Sequence, residues 1–432
     1  MDSAIRSTER GPAVGRDSAE QVWTVLDIAS LLSLKWTQRS GFRIILRRIS
    51  LGKSENMQIF ESVRLTPDRY VGAGTGPVFE IATDGVTLDL SGCVVDGIDF
   101  TGVGIHIHDC ADVTIRGGVV RGFHQGIRAE NVRRLHIEEC VVSDNYNPHG
   151  IGWLEDTHCP NEDGYGGGIY LLNVMDSRIE RCSVTGNFNG IDLVRCTRVT
   201  VSETDASHSS NVGIHLLRST HCTVEKSRAE HCIRYSERFW NDTADSAGIL
   251  IEEFSHHNRI IDNSLRYSGD GLFIRANNRH SSDHNFIARN DGSRSPNNAF
   301  EAVFSACNIF EDNIADCSGY GFWLGYSKKS VVRGNRIRSN RLDGIAIEHG
   351  SDTLIERNVI DANRNGIRLW WAPSDLGDDP SSGYVIRDNR VSQSRDHAII
   401  ATDTTDVALS SNHLRDNRRD IARQWDRLRS IE

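Results

Sequence analysis

Apolar residues along this chain recur once per coil rather than once per helical turn. Between Gly104 and Ile400 one short pattern returns twelve times: usually a glycine, an apolar residue, any residue, then a second apolar or small residue. It reads Gly104-Ile105-His106-Ile107, Gly190-Ile191-Asp192-Leu193, Gly321-Phe322-Trp323-Leu324 and Gly366-Ile367-Arg368-Leu369, and it closes with His397-Ala398-Ile399-Ile400. Uninterrupted copies lie 22 or 23 residues apart, the length of one coil of a β-solenoid and of no helical repeat. The two apolar residues of each copy are two apart, so both point to one side of a strand. Stacked coils bury one continuous core, and that side is therefore the interior.

A second column supports this register. Fourteen residues after the first motif position stand Cys140, Cys182, Thr204, Ser227, Asn313, Asn335 and Asn358, and with insertions Asn263, Asn290, Asn389 and Asn412 join them. Asparagines stacked in successive turns can hydrogen-bond along the stack and satisfy turn backbone groups. The pattern predicts an all-β chain, a single-stranded right-handed parallel β-helix over residues 56–417. Residues 1–55 form an N-terminal extension, and 418–432 a C-terminal tail or cap. Within the extension, the apolar stretch 22–34, interrupted by Asp27, predicts an amphipathic helix that caps the open end, where strand edges would otherwise be exposed.

If the apolar motif residues face inward, the residues between and after them face outward. One outward column then runs His106, Arg128, Tyr170, Asp192, His215, Leu250, Phe273, Glu301, Trp323, Ala346 and Arg368. A second carries Glu252, Arg275, Glu348 and Trp370. Coils stack about 4.8 Å apart, so Glu252 and Glu301, or Glu301 and Glu348, lie two coils and roughly 9.5 Å apart along the stack. Inverting glycosidases hold an acid and a base about 6.5–9.5 Å apart. Glu301, central and flanked by Arg275 and Trp323, is the expected general acid, with Glu252, Glu348 or Asp192 as base. Arg275 and Arg368 would orient the substrate, and Trp323, Trp370 and Tyr170 would stack sugars, with His215 also placed to bind substrate. The plainer expectation for such a column is charge pairing on a solvated sheet, but aromatic residues at Phe273, Trp323 and Trp370 have no reason to accompany it. Insertions at 145–167, 233–247 and 372–383 add aromatic and acidic residues and are expected to wall the same face.

Composition narrows the partners. A formal net charge of −10 argues against nucleic acid or an anionic membrane, and no apolar run approaches the ~20 residues of a spanning helix. The polar opening shows no signal peptide, so a cytoplasmic location is expected as the sequence is written, with export as the alternative. None of the ten cysteines forms a C-x-x-C pair, which argues against a zinc ribbon or redox motif. His106 and His108 share a strand face at a spacing that permits metal ligation, with His124 the nearest further histidine. The sequence offers no clear third ligand, so no metal site is expected there. Ca²⁺ is compatible with the many carboxylates, although no EF-hand spacing occurs; no other cofactor is expected.

The Gly-Ile-x-Leu and Asn-x-Ile coils resemble those of the pectin-lyase-like superfamily, and within it mannuronan epimerases and NosD-type repeat proteins. Asn147-Pro148-His149, after Tyr146, is similar to the Asp-Pro-His core of the epimerase signature, with Asn147 where the family has an acid. The resemblance implies a β-helix and a polysaccharide partner, and leaves hydrolase, lyase, epimerase or non-enzymatic binding open. The residues favour a glycoside hydrolase. A uronate lyase or C5-epimerase using Tyr170, His215 and Arg275 is the runner-up, and a NosD-like accessory or glycan-binding solenoid the third reading.

Overall fold

The computed structural model describes residues 43–45, 56–72, 74–147, 166–234, 245–276, 280–373 and 380–424. The capping helix expected over 22–34, most of the 145–167 and 233–247 insertions, and half of 372–383 lie outside these residues.

Every described strand pairs in parallel with the strand one coil away. Three sheets run along the solenoid. The motif sheet has fifteen strands, from Met57–Gln58 to Arg419–Gln424, and a second fifteen-stranded sheet runs from Arg43–Ile45 to Thr405–Ser410. The third consists of a four-stranded and a five-stranded ladder, joined by single bridges from Val141 and Ser183 through Asp205, Arg228, Ser264 and Asp291 to Ile314. Strands thus occur on both sides of 56–417.

The register follows the motif. Ile105, Ile127, Ile169, Ile191, Ile214 and Ile249 are successive ladder partners, and all are buried. One motif position is corrected. The ladder pairs Ile367 with Ile399 and Leu369 with Ala401, so Ala398, not His397, takes the glycine's place in the last coil.

The motif glycine has a job that alternation alone does not show. Successive N–H groups of a regular strand point to opposite neighbours, yet Gly321 N donates to Asp343 O and Phe322 N to Gly344 O, both on the next coil. Gly344 and Ile345 repeat this toward Asn365 and Gly366. The strand is kinked there as it is when an extra residue is inserted. A side chain would not fit: a Cβ on Gly321 would lie 2.4 Å from Gly344 O and 2.5 Å from Ile337 Cγ2. The kink resets the alternation, so the residue before each glycine reaches the same outer face as the residue two after it.

The asparagine column forms as expected. Asn263, Asn290, Asn313, Asn335, Asn358, Asn389 and Asn412 stack, each Nδ2 from Asn263 to Asn389 donating to the next Oδ1 at 2.9–3.1 Å. Each Oδ1 from Asn290 on also accepts the backbone N–H of the preceding asparagine. Ser227 N donates to Asn263 Oδ1 and Thr204 N to Ser227 Oγ, extending the column toward Cys182. Asn335→Ala removes a fully buried amide and strands partners on both neighbouring coils. It is expected to destabilise by about 1–3 kcal/mol, measured by chemical denaturation.

Candidate active site

The outer face of the motif sheet brings most of the expected residues into one strip, in two buried polar groups followed by an aromatic patch. The first group joins four side chains. Asp192 and His215 are ladder partners, and Glu252 and Arg275 are partners one column over. His215 donates Nδ1–H to Asp192 Oδ1 at 3.0 Å and Nε2–H to Glu252 Oε2 at 2.8 Å, while Arg275 Nε donates to Glu252 Oε1 at 2.8 Å. Asp192 also accepts from Asn189 Nδ2 at 2.9 Å. All four of the linked side chains are buried. Burial alone would push His215 down, but the hydrogen bonds and charges of Asp192 and Glu252 outweigh it and lift the imidazole to about 10. Burial would raise Glu252, and the Arg275 charge with the His215 contact instead brings it to about 2. At neutral pH His215 is therefore protonated and Glu252 ionised. Glu252 is thus an ionised carboxylate with both oxygens engaged, a poor water-activating base.

The second group was only half legible. Glu301 lies where expected, opposite Phe273 on one side and Trp323 on the other. Beside it are Asp270 and Asn298, each from the position before the motif's first residue (Gly271 and Ala299), which simple alternation sends inward. The repeated polar residues there, Asn189, Asp270, Asn298, Asp343 and Asn365, were the available signal. Asp270, fully buried, accepts Asn298 N–H at 2.8 Å and Asn297 Nδ2 at 3.1 Å. Asn298 Nδ2 also donates to Glu301. Burial, reinforced by Asp245, lifts Asp270 to about 8 against these donors. Burial and the charges of Asp270 and Asp245 push Glu301 well above the carboxylate range, with Arg275 opposing. Two backbone or amide donors favour ionised Asp270, while Glu301 has no backbone donor. As pH rises Asp270 is the first of the pair to lose its proton and Glu301, the partly exposed member, keeps its own.

The aromatic patch follows. Trp323 packs edge-on against Tyr320 and Trp370, at ring-centroid distances of 4.9 and 5.5 Å. Trp370 Nε1 donates to Glu348 Oε1 at 3.1 Å, and the Arg368 guanidinium lies 4.4 Å from the Trp370 ring centroid. Arg368 is also 3.7 Å from fully buried Asp343, which Arg364 grips through two nitrogens at 3.0 and 3.1 Å. Trp323, Glu348, Arg368 and Trp370 are all partly exposed.

Two expectations need correction. Phe273 is not exposed: it packs with Leu250, Val212, Ala247 and Val303 in an apolar layer on the outer face. Tyr170 is 2% exposed, joins Val194 and Leu217 in a second such layer, and has the Arg128 guanidinium 5.0 Å from its ring centroid, so it offers no open face to a sugar. Apolar residues at successive outward positions are covered because an open strip of them would be costly in water. Asn147 lies at the edge of an insertion, accepting from Ser210 Oγ; Pro148 and His149 lie outside the described residues.

Parallel coils, an inward glycine-apolar motif, an asparagine ladder and an outer polar strip define a right-handed parallel β-helix of the pectin-lyase-like fold. A family model described as a right handed beta helix region matches residues 79–237 and 150–291, and one described as periplasmic copper-binding protein (NosD) matches 236–376. Among solved structures, the Dettilon tailspike protein is 15% identical with a TM-score of 0.53, the match covering 81% of this chain and 62% of that one. The Azotobacter vinelandii mannuronan C-5 epimerase AlgE4 A-module is 13% identical, with TM-score 0.47 and coverage of 84% and 89%. The periplasmic alginate epimerase AlgG is 14% identical, with TM-score 0.39 and coverage of 82% and 76%. No curated protein sequence matches this chain.

Proposed function

We propose that this protein is an exported glycoside hydrolase that takes a polysaccharide along the outer face of the motif sheet. The observation that carries the reading is Glu301, a partly exposed carboxyl bordered by Trp323 and biased toward its protonated form by the burial of its site and by the neighbouring Asp270. Glu301 donates its proton to the glycosidic oxygen as the bond to the sugar carbon breaks. Glu348, two coils on and partly exposed, is the base that draws a proton from the attacking water. Glu252 and Asp192, both engaged by His215, act instead as supports that hold Arg275 beside Glu301. Trp323 and Trp370 supply flat apolar faces for sugar rings, and Arg368 a cation for an acidic group. Export agrees with the periplasmic description of the family model that matches residues 236–376.

The test is a product assay against neutral and acidic glycans. New reducing ends are expected. An ultraviolet-absorbing unsaturated uronate would replace this reading with a lyase, inversion at C5 without cleavage would replace it with an epimerase, and binding without turnover would leave a glycan-binding solenoid. Trp370→Ala is expected to weaken glycan binding about five- to tenfold, the loss of roughly 1 kcal/mol of ring contact, measured by calorimetry.

A further inference from the structure

The first coils of the same sheet carry a cluster that takes no part in the groove. Glu80 and His106 are ladder partners, and His108 lies two residues beyond His106 on the same face. One donor atom from each of Glu80, His106 and His108 lies within 4.8 Å of the other two. The two imidazole centroids are 4.8 Å apart. His108 Nε2 is 3.1 Å from Glu80 Oε1, and its Nδ1 is 3.1 Å from Asp109 Oδ2. Glu80 Oε2 accepts from Asn56 Nδ2 at 2.6 Å, which leaves Oε1 toward the histidines. Glu130 brings Oε2 to 3.2 Å from His106 Nε2, while Arg128 holds its other oxygen.

Charge balance alone does not account for this arrangement. Where this solenoid merely pairs charges between coils it mostly sets arginine against a carboxylate, as in Arg134 with Asp112 and Arg387 with Glu356. Here two imidazoles, weak cations at neutral pH, stand between carboxylates on both neighbouring strands. The far ring nitrogen of His108 is held by a carboxylate, which is how a metal-binding imidazole has its tautomer and orientation fixed. Sequence spacing hid the third donor because Glu80 comes from the preceding coil.

We propose that Glu80, His106 and His108 bind a divalent first-row transition-metal ion, with Glu130 within reach as a fourth donor. Two imidazoles and a carboxylate suit zinc, copper or nickel over calcium or magnesium. Three protein donors on a partly exposed surface leave room at the ion for water or an anionic group of a ligand. These residues lie outside 236–376, so the inference does not rest on the copper-binding family match. A second grouping, His136 with Glu138 and Glu180, is the weaker site because Arg116 and Arg181 already occupy Glu138.

The test is calorimetry on the untagged full chain, stripped with a chelator and titrated with Zn²⁺, Cu²⁺ and, as a control, Ca²⁺. One transition-metal ion per chain is expected, with no matching Ca²⁺ binding. The His106→Ala/His108→Ala double variant should lose it, and His136→Ala should keep it. Asp109 is exposed, so Asp109→Asn leaves the fold intact, as far-ultraviolet circular dichroism of the metal-free protein will check. That variant should bind roughly 10–100-fold more weakly. Absence of saturable Zn²⁺ or Cu²⁺ binding by the wild type, binding that survives the double variant, or unchanged affinity in Asp109→Asn would each overturn the proposal.

Discussion

Glu301→Gln is expected to lower turnover of a cleaved glycan by about 10²–10⁴-fold, the usual contribution of a positioned general acid, with little change in KM. The amide keeps the shape and the contact with Asn298 but cannot give up a proton. The pH profile carries the distinguishing detail. Because Glu301 works in its protonated form and its pKa is raised, wild-type activity should persist into the neutral range and fall as pH rises through the titration of the Asp270–Glu301 pair. Asp270→Asn removes the negative charge that Asp270 takes on as it titrates near 8 and that delays proton loss from Glu301, so its alkaline limb should move to lower pH. A purely structural role for Glu301 would lower activity without that movement. Stability shifts in the matching sense. A carboxyl raised from 3.8 to about 8, as in Asp270, costs the folded state nothing below 3.8, increasingly more between 3.8 and 8, and a constant amount above 8. Glu301→Gln should relieve part of that cost at neutral pH, so thermal melts should show the variant no less stable than wild type there.

Glu252→Gln should act on the fold. It leaves buried Arg275 and protonated His215 without the carboxylate between them, and breaking a buried ion pair in this way costs about 3–5 kcal/mol. Urea denaturation across pH checks both size and sign. His215, raised from 6.5 to about 10, contributes stability that is complete below 6.5 and is lost as pH rises through 10. Glu252, lowered from 4.5 to about 2, contributes stability that is present above 4.5 and is lost as pH falls through 2. The difference between wild type and variant should therefore be greatest between 4.5 and 6.5 and shrink on either side.

The repeat made the fold legible because a coil length of 22 or 23 residues and a fixed two-residue apolar spacing admit few architectures. The asparagine column was legible for the same reason: each member needs only its counterpart one coil away. Glu301, Trp323, Arg368 and Trp370 followed from strand alternation. Asp270 and Asn298 did not, because the kink at each motif glycine turns the preceding residue outward, and alternation counted straight through it gives the wrong face. The covered state of Phe273 and Tyr170 also escaped that reading, since the strand pattern gives a side chain's direction and not what packs above it. The apolar run Leu250, Phe273 and Val303 was the hint.

The ladders join each coil only to the coils before and after it, so disturbance at one coil fades within a few of its neighbours. The histidine cluster on strands Pro77–Ile81 and Val103–His108 is separated from Asp192 by two intervening strands of the same sheet, and from Asp270 by more. Changes at the two places should therefore be thermodynamically additive. Each could have been acquired, or be discarded, without renegotiating the other: along such a stack, evolution can edit a surface one coil at a time.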